Sequence, residues 1–385
     1  MRVLAKRRQL RAWLIGRSAR SADRLFRRKP GHPSAEPGSV QRILVVKPCC
    51  LGDVLMATPA LRALKVRYPH ADIDVLTTEW SAVALLGNPR VSRVLRYPDR
   101  PKVARIASLA RRLRREKYDI GISLDLSPIA NALLALAGIP ERAGIDNKGR
   151  GVGLTHRVNP RPRQHETELY LDVIASLGVP SQGVEPEYVP SEAARERARE
   201  ILPGSDGPLV VIHPGGAVNP GSMMISKRWP ATSFGELASL LGHQLGASVV
   251  LVGSASDRPV IETTKDFADV PLLDLCDKLS FQELAAVCAE ADLYVGNDSG
   301  VSHLAAAVGT PTVTIFGPTS PALYRPLGPH AVVCAPEATN ELIDSGDLRD
   351  GLIYERPLDI ARISARQVLQ ACIQVLEREP GGIEG

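Results

Sequence analysis

A chain of 385 residues is long for one hydrophobic core and sufficient for two, and 44% apolar with 23% charged residues is ordinary globular composition. Only 4% of the residues are aromatic, which argues against stacking platforms for single-stranded nucleic acid. The net charge of +5 is concentrated at one end: residues 1–40 hold eleven Lys and Arg against two acids, so the remaining chain carries −4, the wrong sign for a nucleic-acid-binding body.

Residues 1–29 mix Leu10, Trp13, Leu14, Ile15, Leu25 and Phe26 with arginines. Two readings stay open for them: a basic amphipathic helix on an anionic membrane, or a solvated basic tail. No continuous apolar run and no small-residue cleavage site mark a secretory signal, and no stretch approaches the ~20 apolar residues of a spanning helix. Residues 30–40, rich in Pro and Gly, form a linker.

From residue 41 the pattern alternates strand, loop and helix. Strands are expected at 43–46, 73–76 and 119–124, and helices at 54–67, 101–116 and 129–137. Residues 159–208, rich in Pro and charge, contain helical pieces at 166–177 and 191–201. The alternation then restarts, with strands at 209–212, 248–252, 293–295 and 312–316, and helices at 231–245, 258–267, 280–290 and 301–308. Residues 358–376 have helical periodicity. Short apolar strands alternating with helices predict parallel sheets covered on both faces. The expected organisation is a basic extension over 1–40, a first Rossmann-like doubly wound domain over 41–190, a second over 191–357, and a C-terminal helix and tail over 358–385. Ligands of such folds bind at the carboxyl ends of the strands, here in the cleft between two domains. The six cysteines form no CxxC pair and read as reduced, mostly buried thiols. The Asp72-Ile73-Asp74 triplet reads as part of a solvated strand, and the arginines of 105–115 as a solvated helix face.

Three loops carry candidate chemistry. Lys47 to Asp53 follows the first strand and opens a helix. Gly52 permits close backbone approach, and Asp53 is either a helix N-cap or a general base for an acceptor hydroxyl. The loop His213-Pro214-Gly215-Gly216 follows the first strand of the second domain, and its glycines let backbone N–H groups approach an anion. Lys227, further along, suits neutralisation of a diphosphate without a metal. The third loop, Gly296-Asn297-Asp298-Ser299-Gly300, runs into a helix with His303 in its first turn. Asp298, Ser299, Gly300 and His303 thus gather at the positive end of a helix dipole. Gly317-Pro318-Thr319 closes the next strand and lines the same pocket. No His/Cys/Asp cluster has zinc spacing, and neither GxGxxG nor GxxxxGK[ST] is present.

At these loops the chain resembles glycosyltransferase family 9, the heptosyltransferase family of lipopolysaccharide assembly. The resemblance rests on residues 43–47 with Leu51-Gly52-Asp53-Val54 and Thr58-Pro59-Ala60-Leu61. It continues through His213-Pro214-Gly215, Lys227-Arg228-Trp229-Pro230 with Phe234, and Val252-Gly253. It ends with Gly296-Asn297-Asp298-Ser299-Gly300, His303 to Ala307, Gly309-Thr310-Pro311 and Phe316 to Thr319, covering roughly residues 41–330. The resemblance implies an α/β GT-B fold whose two Rossmann-like domains face a central cleft. It implies a metal-independent, inverting transfer of heptose or a related sugar, without a cofactor, from ADP-heptose or a similar nucleotide sugar to a lipopolysaccharide-type or other lipid-linked acceptor. Asp53 would be the base. Gly215, Gly216 and Lys227 would hold the donor phosphates, Asp298, Ser299, Gly300 and His303 the donor sugar and diphosphate, and Ser254 or Asp257 the nucleoside. The expected location is the cytoplasm, at the inner face of the inner membrane if residues 1–29 dock there. Lys47 stands where members often have Arg, Cys49-Cys50 replaces a Ser-rich pair, and the segment 217–226 is longer than usual. Two other readings are a sugar-nucleotide epimerase of the same architecture and a non-catalytic membrane-docked binding module.

Overall fold

The computed structural model describes residues 38–99, 101–204, 206–219, 222–328, 330–336 and 360–377. The basic segment 1–29 and the segment 337–359 lie outside the described residues. By the density of its internal contacts the chain divides into two units. Unit 1 comprises residues up to Cys49 and Ala57–Val184; unit 2 comprises Cys50–Met56 and Glu185–Gly385.

In chain order the first elements are β1 (Arg42–Val46), α1 (Leu51–Met56), α2 (Thr58–Arg67), β2 (Asp72–Thr77), α3 (Glu79–Ala82) and β3 (Arg93–Arg96). Next come α4 (Val103–Glu116), β4 (Ile120–Ser123), α5 (Pro128–Leu136), β5 (Glu141–Ile145), β6 (His156–Val158) and α6 (Glu166–Ala175). The second half runs α7 (Glu192–Ile201), β7 (Leu209–His213), β8 (Val218–Asn219), β9 (Ser222–Met223), α8 (Ala231–Leu245), β10 (Ser248–Leu251), α9 (Arg258–Asp266) and β11 (Leu272–Asp274). It ends with α10 (Phe281–Ala289), β12 (Leu293–Asn297), α11 (Gly300–Ala307), β13 (Thr312–Ile315), α12 (Pro321–Tyr324), β14 (Ala331–Cys334) and α13 (Ala365–Leu376).

Each unit has a six-stranded parallel sheet, ordered β3-β2-β1-β4-β5-β6 in unit 1 and β11-β10-β7-β12-β13-β14 in unit 2. Both orders are the doubly wound 3-2-1-4-5-6 arrangement, with the reversal of winding beside the first strand. The strands alternate as a two-sided core demands. In β7, Val210 and Ile212 pack with Phe234, Leu237 and Leu241 of α8 and Val368 and Leu369 of α13. Val211, between them, faces Ala286 and Val287 of α10 and Ala305 of α11. Each such fully buried aliphatic side chain contributes about 1.5–3 kcal/mol. In unit 1, Leu44, Val46 and Leu76 pack against Ile106, Leu109 and Leu113 of α4 and Leu133 of α5.

Four local differences from the sequence expectations have physical causes. The single helix expected over 54–67 is two helices, because Pro59 sits in the first turn of α2, where its missing N–H costs nothing. Asp74 is fully buried rather than solvated: its carboxylate takes Arg93 Nη2 at 2.6 Å, Tyr118 Oη at 2.6 Å and Arg42 Nη2 at 3.3 Å, so the charge is neutralised inside the unit. The cysteines are not all thiols. Cys276, Cys288, Cys334 and Cys372 are free, whereas Cys49 and Cys50 are disulfide-bonded, which in a chain of six cysteines joins these two neighbours to each other. Strands β3, β5, β6, β11 and β14 add to the expected ones; β5 and β6, with sequences ERAGI and HRV, lack the continuous apolar run that marks a buried strand, whereas β14, AVVC, has one. The arginines of α4 do line an exposed face opposite its buried Ile106, Leu109, Ala110 and Leu113.

Candidate active site

In unit 2 the loops after β7 and β12 flank the point where the winding reverses. Asn297, the last residue of β12, is fully buried. Its Nδ2 donates to the carbonyls of Pro214 and Gly215 at 3.0 Å each, and its Oδ1 accepts from Trp229 N at 2.9 Å. One amide side chain therefore pins the glycine loop and the Lys227 loop to the strand that leads into Asp298. Ser302 Oγ returns a 2.6 Å bond to the Asn297 carbonyl, fixing the first turn of α11 to the same residue.

Asp298 is buried, and its Oδ2 accepts from Lys227 Nζ at 2.6 Å and from Thr319 Oγ1. The carboxylate aims the lysine, and the loop Gly317-Pro318-Thr319 enters the cluster through Thr319. Ser299 is the N-cap of α11 but makes no side-chain cap bond; its Oγ lies 3.5 Å from His213 Nδ1. Gly216 has φ +84°, a conformation that favours glycine, and a Cβ there would fall 2.8 Å from Ser299 Cβ. A Cβ on Gly215 would run into the carboxyl group of Asp257.

Asp257, which with Ser254 is the candidate nucleoside contact, is buried and hydrogen-bonded within the unit. Oδ1 accepts from Gly216 N at 3.1 Å and Arg228 Nη2 at 3.0 Å, while Oδ2 accepts from Ser254 N at 3.0 Å and Ser254 Oγ at 2.8 Å. Those four donors fill the four lone-pair positions of a carboxylate. Burial alone raises its pKa, but His213 and Ser254 outweigh that and hold Asp257 well below the usual carboxylate range. Arg228 also donates to the Gly216 carbonyl at 2.9 Å. Asp257 and Arg228 thus hold the glycine loop in its shape, with Ser254 closing a capping box.

The helix α1 packs against α11 within unit 2. A Cβ on Gly52 would fall 2.6 Å from His303 Cδ2, and a Cβ on Gly300 would fall 2.8 Å from Leu51 Cβ. Glycine at both positions is what allows the two helices to approach this closely. The approach brings half-buried Asp53 near the buried His303, whose imidazole feels the charges of Asp53, Asp298 and Lys227. Burial dominates and pushes His303 below the ordinary histidine value, so the ring is neutral at pH 7. Its Nδ1 is buried with no hydrogen-bond partner among the described residues.

Asp53, Gly52, Gly216, Lys227, Asp298, Ser299, Gly300 and His303 are thus gathered in one unit, although Gly52 and Asp53 come from a segment expected in the first domain. Asn297, Arg228 and Ser302 had no role assigned from sequence. Their signal is faint: Asn297 is one polar residue in a polar loop, and only the fold shows that its amide faces two other loops.

A model of "Glycosyltransferase family 9 (heptosyltransferase)" matches residues 106–346, more than half of the chain. The chain belongs to glycosyltransferase family 9. It is 29% identical over 309 residues to lipooligosaccharide heptosyltransferase 2 of Haemophilus influenzae, covering 76% of this chain and 87% of that protein. Among solved structures, a family 9 glycosyltransferase from Veillonella parvula superposes with TM-score 0.73 at 25% identity, covering 87% of this chain and 97% of the other. The Escherichia coli heptosyltransferase WaaC, solved with ADP, gives 0.67 at 22% identity over 87% of this chain and all of the other. The fold is therefore GT-B, and the family member is a glycosyltransferase of the heptosyltransferase type. Among the described residues no helix is long and apolar enough to cross a membrane, and no three His, Cys, Asp or Glu group as metal ligands.

Proposed function

We propose that this chain transfers heptose from ADP-heptose to a lipopolysaccharide-type acceptor by a single inverting displacement that needs no metal and no cofactor. The observation that carries the reading is the close packing of α1 on α11, which sets the Asp53 carboxylate beside the cluster of Lys227, Asp298 and His303. A base and an anion-binding set in one place are what glycosyl transfer from a sugar diphosphate requires. The family assignment and the heptosyltransferase names of its relatives support the sugar and acceptor class.

In this mechanism Asp53 takes the proton of the acceptor hydroxyl as its oxygen attacks the anomeric carbon. The bond from that carbon to the phosphate oxygen breaks, and ADP leaves with the electron pair. Charge develops on the diphosphate, where the Lys227 ammonium and the backbone N–H groups opening α11 oppose it. Asp298 keeps Lys227 oriented at 2.6 Å before the donor arrives, so little reorganisation accompanies binding. The neutral His303 serves as a hydrogen-bond donor to the phosphate without repelling Lys227. The reading puts the protein at the cytoplasmic face of a membrane carrying the lipid-linked acceptor, and the basic composition of segment 1–29 supports it.

Lys227→Met should raise the KM for ADP-heptose by about 10- to 100-fold, the worth of one hydrogen bond to a charged group, with the acceptor KM little changed. Steady-state kinetics with each substrate varied in turn measures this; an unchanged donor KM would remove Lys227 from the donor site.

A further inference from the structure

The loop that opens α1 carries Cys49 and Cys50, which are bonded to each other and half-buried. Stabilisation by a cross-link grows with the length of chain that it closes, and a bond between neighbours closes almost none, so this disulfide contributes little as a structural staple. The other four cysteines behave differently. Cys276, Cys288 and Cys372 are buried, and burial pushes these thiols and that of Cys334 up, so all four stay protonated and unreactive at neutral pH. Among the described residues, sulfur open to exchange is thus concentrated at 49 and 50. In the cytoplasmic location proposed above, a disulfide is usually transient and serves catalysis or redox sensing.

Cys50 also holds φ +74°, a backbone conformation that a residue with a side chain rarely adopts. It is the residue before α1, and its carbonyl accepts from Val54 N at 3.0 Å, a bond of the first helical turn. The disulfide ring restrains the backbone torsions of the pair. Free thiols leave Cys50 able to relax to a negative φ, and the first turn of α1 shifts with it. That turn has no slack, because Gly52 packs so closely that a Cβ there would fall 2.6 Å from His303 Cδ2, and Asp53 is the next residue. We propose that Cys49 and Cys50 form a thiol-exchange site that sets the order of α1, with the disulfide form as the active one and a dithiol as the reductant. One thiolate of the dithiol attacks a cysteine Sγ, the Sγ–Sγ bond breaks, and its electron pair leaves on the other Sγ, which takes a proton. The second thiolate of the reductant then displaces the first Sγ, which also takes a proton. The protein gains two electrons and the two protons shed by the dithiol, and the reductant leaves as its own cyclic disulfide. The kinetic consequence rests on the heptosyl transfer reading, whereas the effect on α1 does not.

The test uses the full-length protein, prepared without reductant and then held in dithiothreitol or in oxidised glutathione. Mass spectrometry after alkylation should find Cys49 and Cys50 blocked only in the reduced sample. Hydrogen exchange over residues 51–56 should be about tenfold faster in that sample, with the amides of β7 and β12 unchanged. With ADP-heptose and lipopolysaccharide truncated before the transferred heptose, kcat should fall about tenfold or more on reduction and return on reoxidation, as misplacement of the Asp53 segment requires. The donor KM should move by less than about threefold. A variant carrying both Cys49→Ser and Cys50→Ser should give one rate and one exchange pattern in either solution. The exchange comparison on the wild type needs no variant, so it stands even where the double variant does not fold. A bond that the dithiol does not open, equal kcat or equal exchange over 51–56 in the two wild-type samples, or a dithiol effect that persists in the double variant would overturn the switch alone. A wild type that transfers no heptose in either state would overturn the parent reading, and exchange over 51–56 would still decide the switch.

Discussion

His303 shows how burial sets a charge state. Its imidazole is 4% exposed, and desolvation outweighs the attraction of Asp298 and Asp53 for a proton. A histidine with a depressed folded pKa binds fewer protons in the native state than in the unfolded state. Stability is then complete above the unfolded value of about 6.5 and is lost as pH falls from there through the folded value. Denaturant midpoints measured between pH 7.5 and pH 5 should fall with pH in the wild type, and His303→Gln should show a shallower fall. Equal slopes in the two proteins would mean that folding leaves the proton affinity of His303 unchanged. Asp257 has the opposite history: burial disfavours its charge, but internal hydrogen bonds restore it. Neither outcome can be read from sequence, because a histidine or an aspartate in a polar loop gives no sign of how much water or how many donors the fold leaves it.

At the level of elements, the clasp made by Asn297 joins three segments distant in sequence, at 214–215, 229 and 297. Replacing it with alanine leaves two carbonyls and one N–H without their partner, a loss of about 2–3 kcal/mol. The loss should be local. Hydrogen exchange should accelerate for amides over residues 214–229, and the donor KM should rise with it, while amides of β1 and β4 stay protected. Unchanged exchange over 214–229 would show that the loops hold themselves. Much of the element plan was legible beforehand, since buried parallel strands appear as short apolar runs and the glycine loops follow them. The break at Pro59 was legible too, as a proline in a helical pattern, yet the expected helix ran through it. The edge strand β6 and its neighbour β5 lack the apolar run that marks a buried strand, since ERAGI and HRV carry charged residues within them. The disulfide of Cys49 and Cys50 has no spacing signature, because its two cysteines are adjacent.

For the molecule as a whole, two copies of one sheet topology put one crevice in each unit. Unit 2 gathers a cation, a helix N-terminus and the Asp53 segment; unit 1 gathers the ion pair of Lys47 and Asp125. The basic segment is separate from both, since the body without residues 1–40 is net acidic. Removing residues 1–40 should release the protein from vesicles of anionic phospholipid in flotation assays while leaving the donor KM unchanged; undiminished flotation would assign membrane binding to the body. The central claim, that Asp53 is the base of a heptosyl transfer, is tested most directly by mass spectrometry of truncated lipopolysaccharide incubated with ADP-heptose and either wild type or Asp53→Asn. The wild type should add one heptose, and Asp53→Asn should add essentially none while binding ADP-heptose with near-normal affinity. Full heptose addition by Asp53→Asn, or none by the wild type, would contradict it.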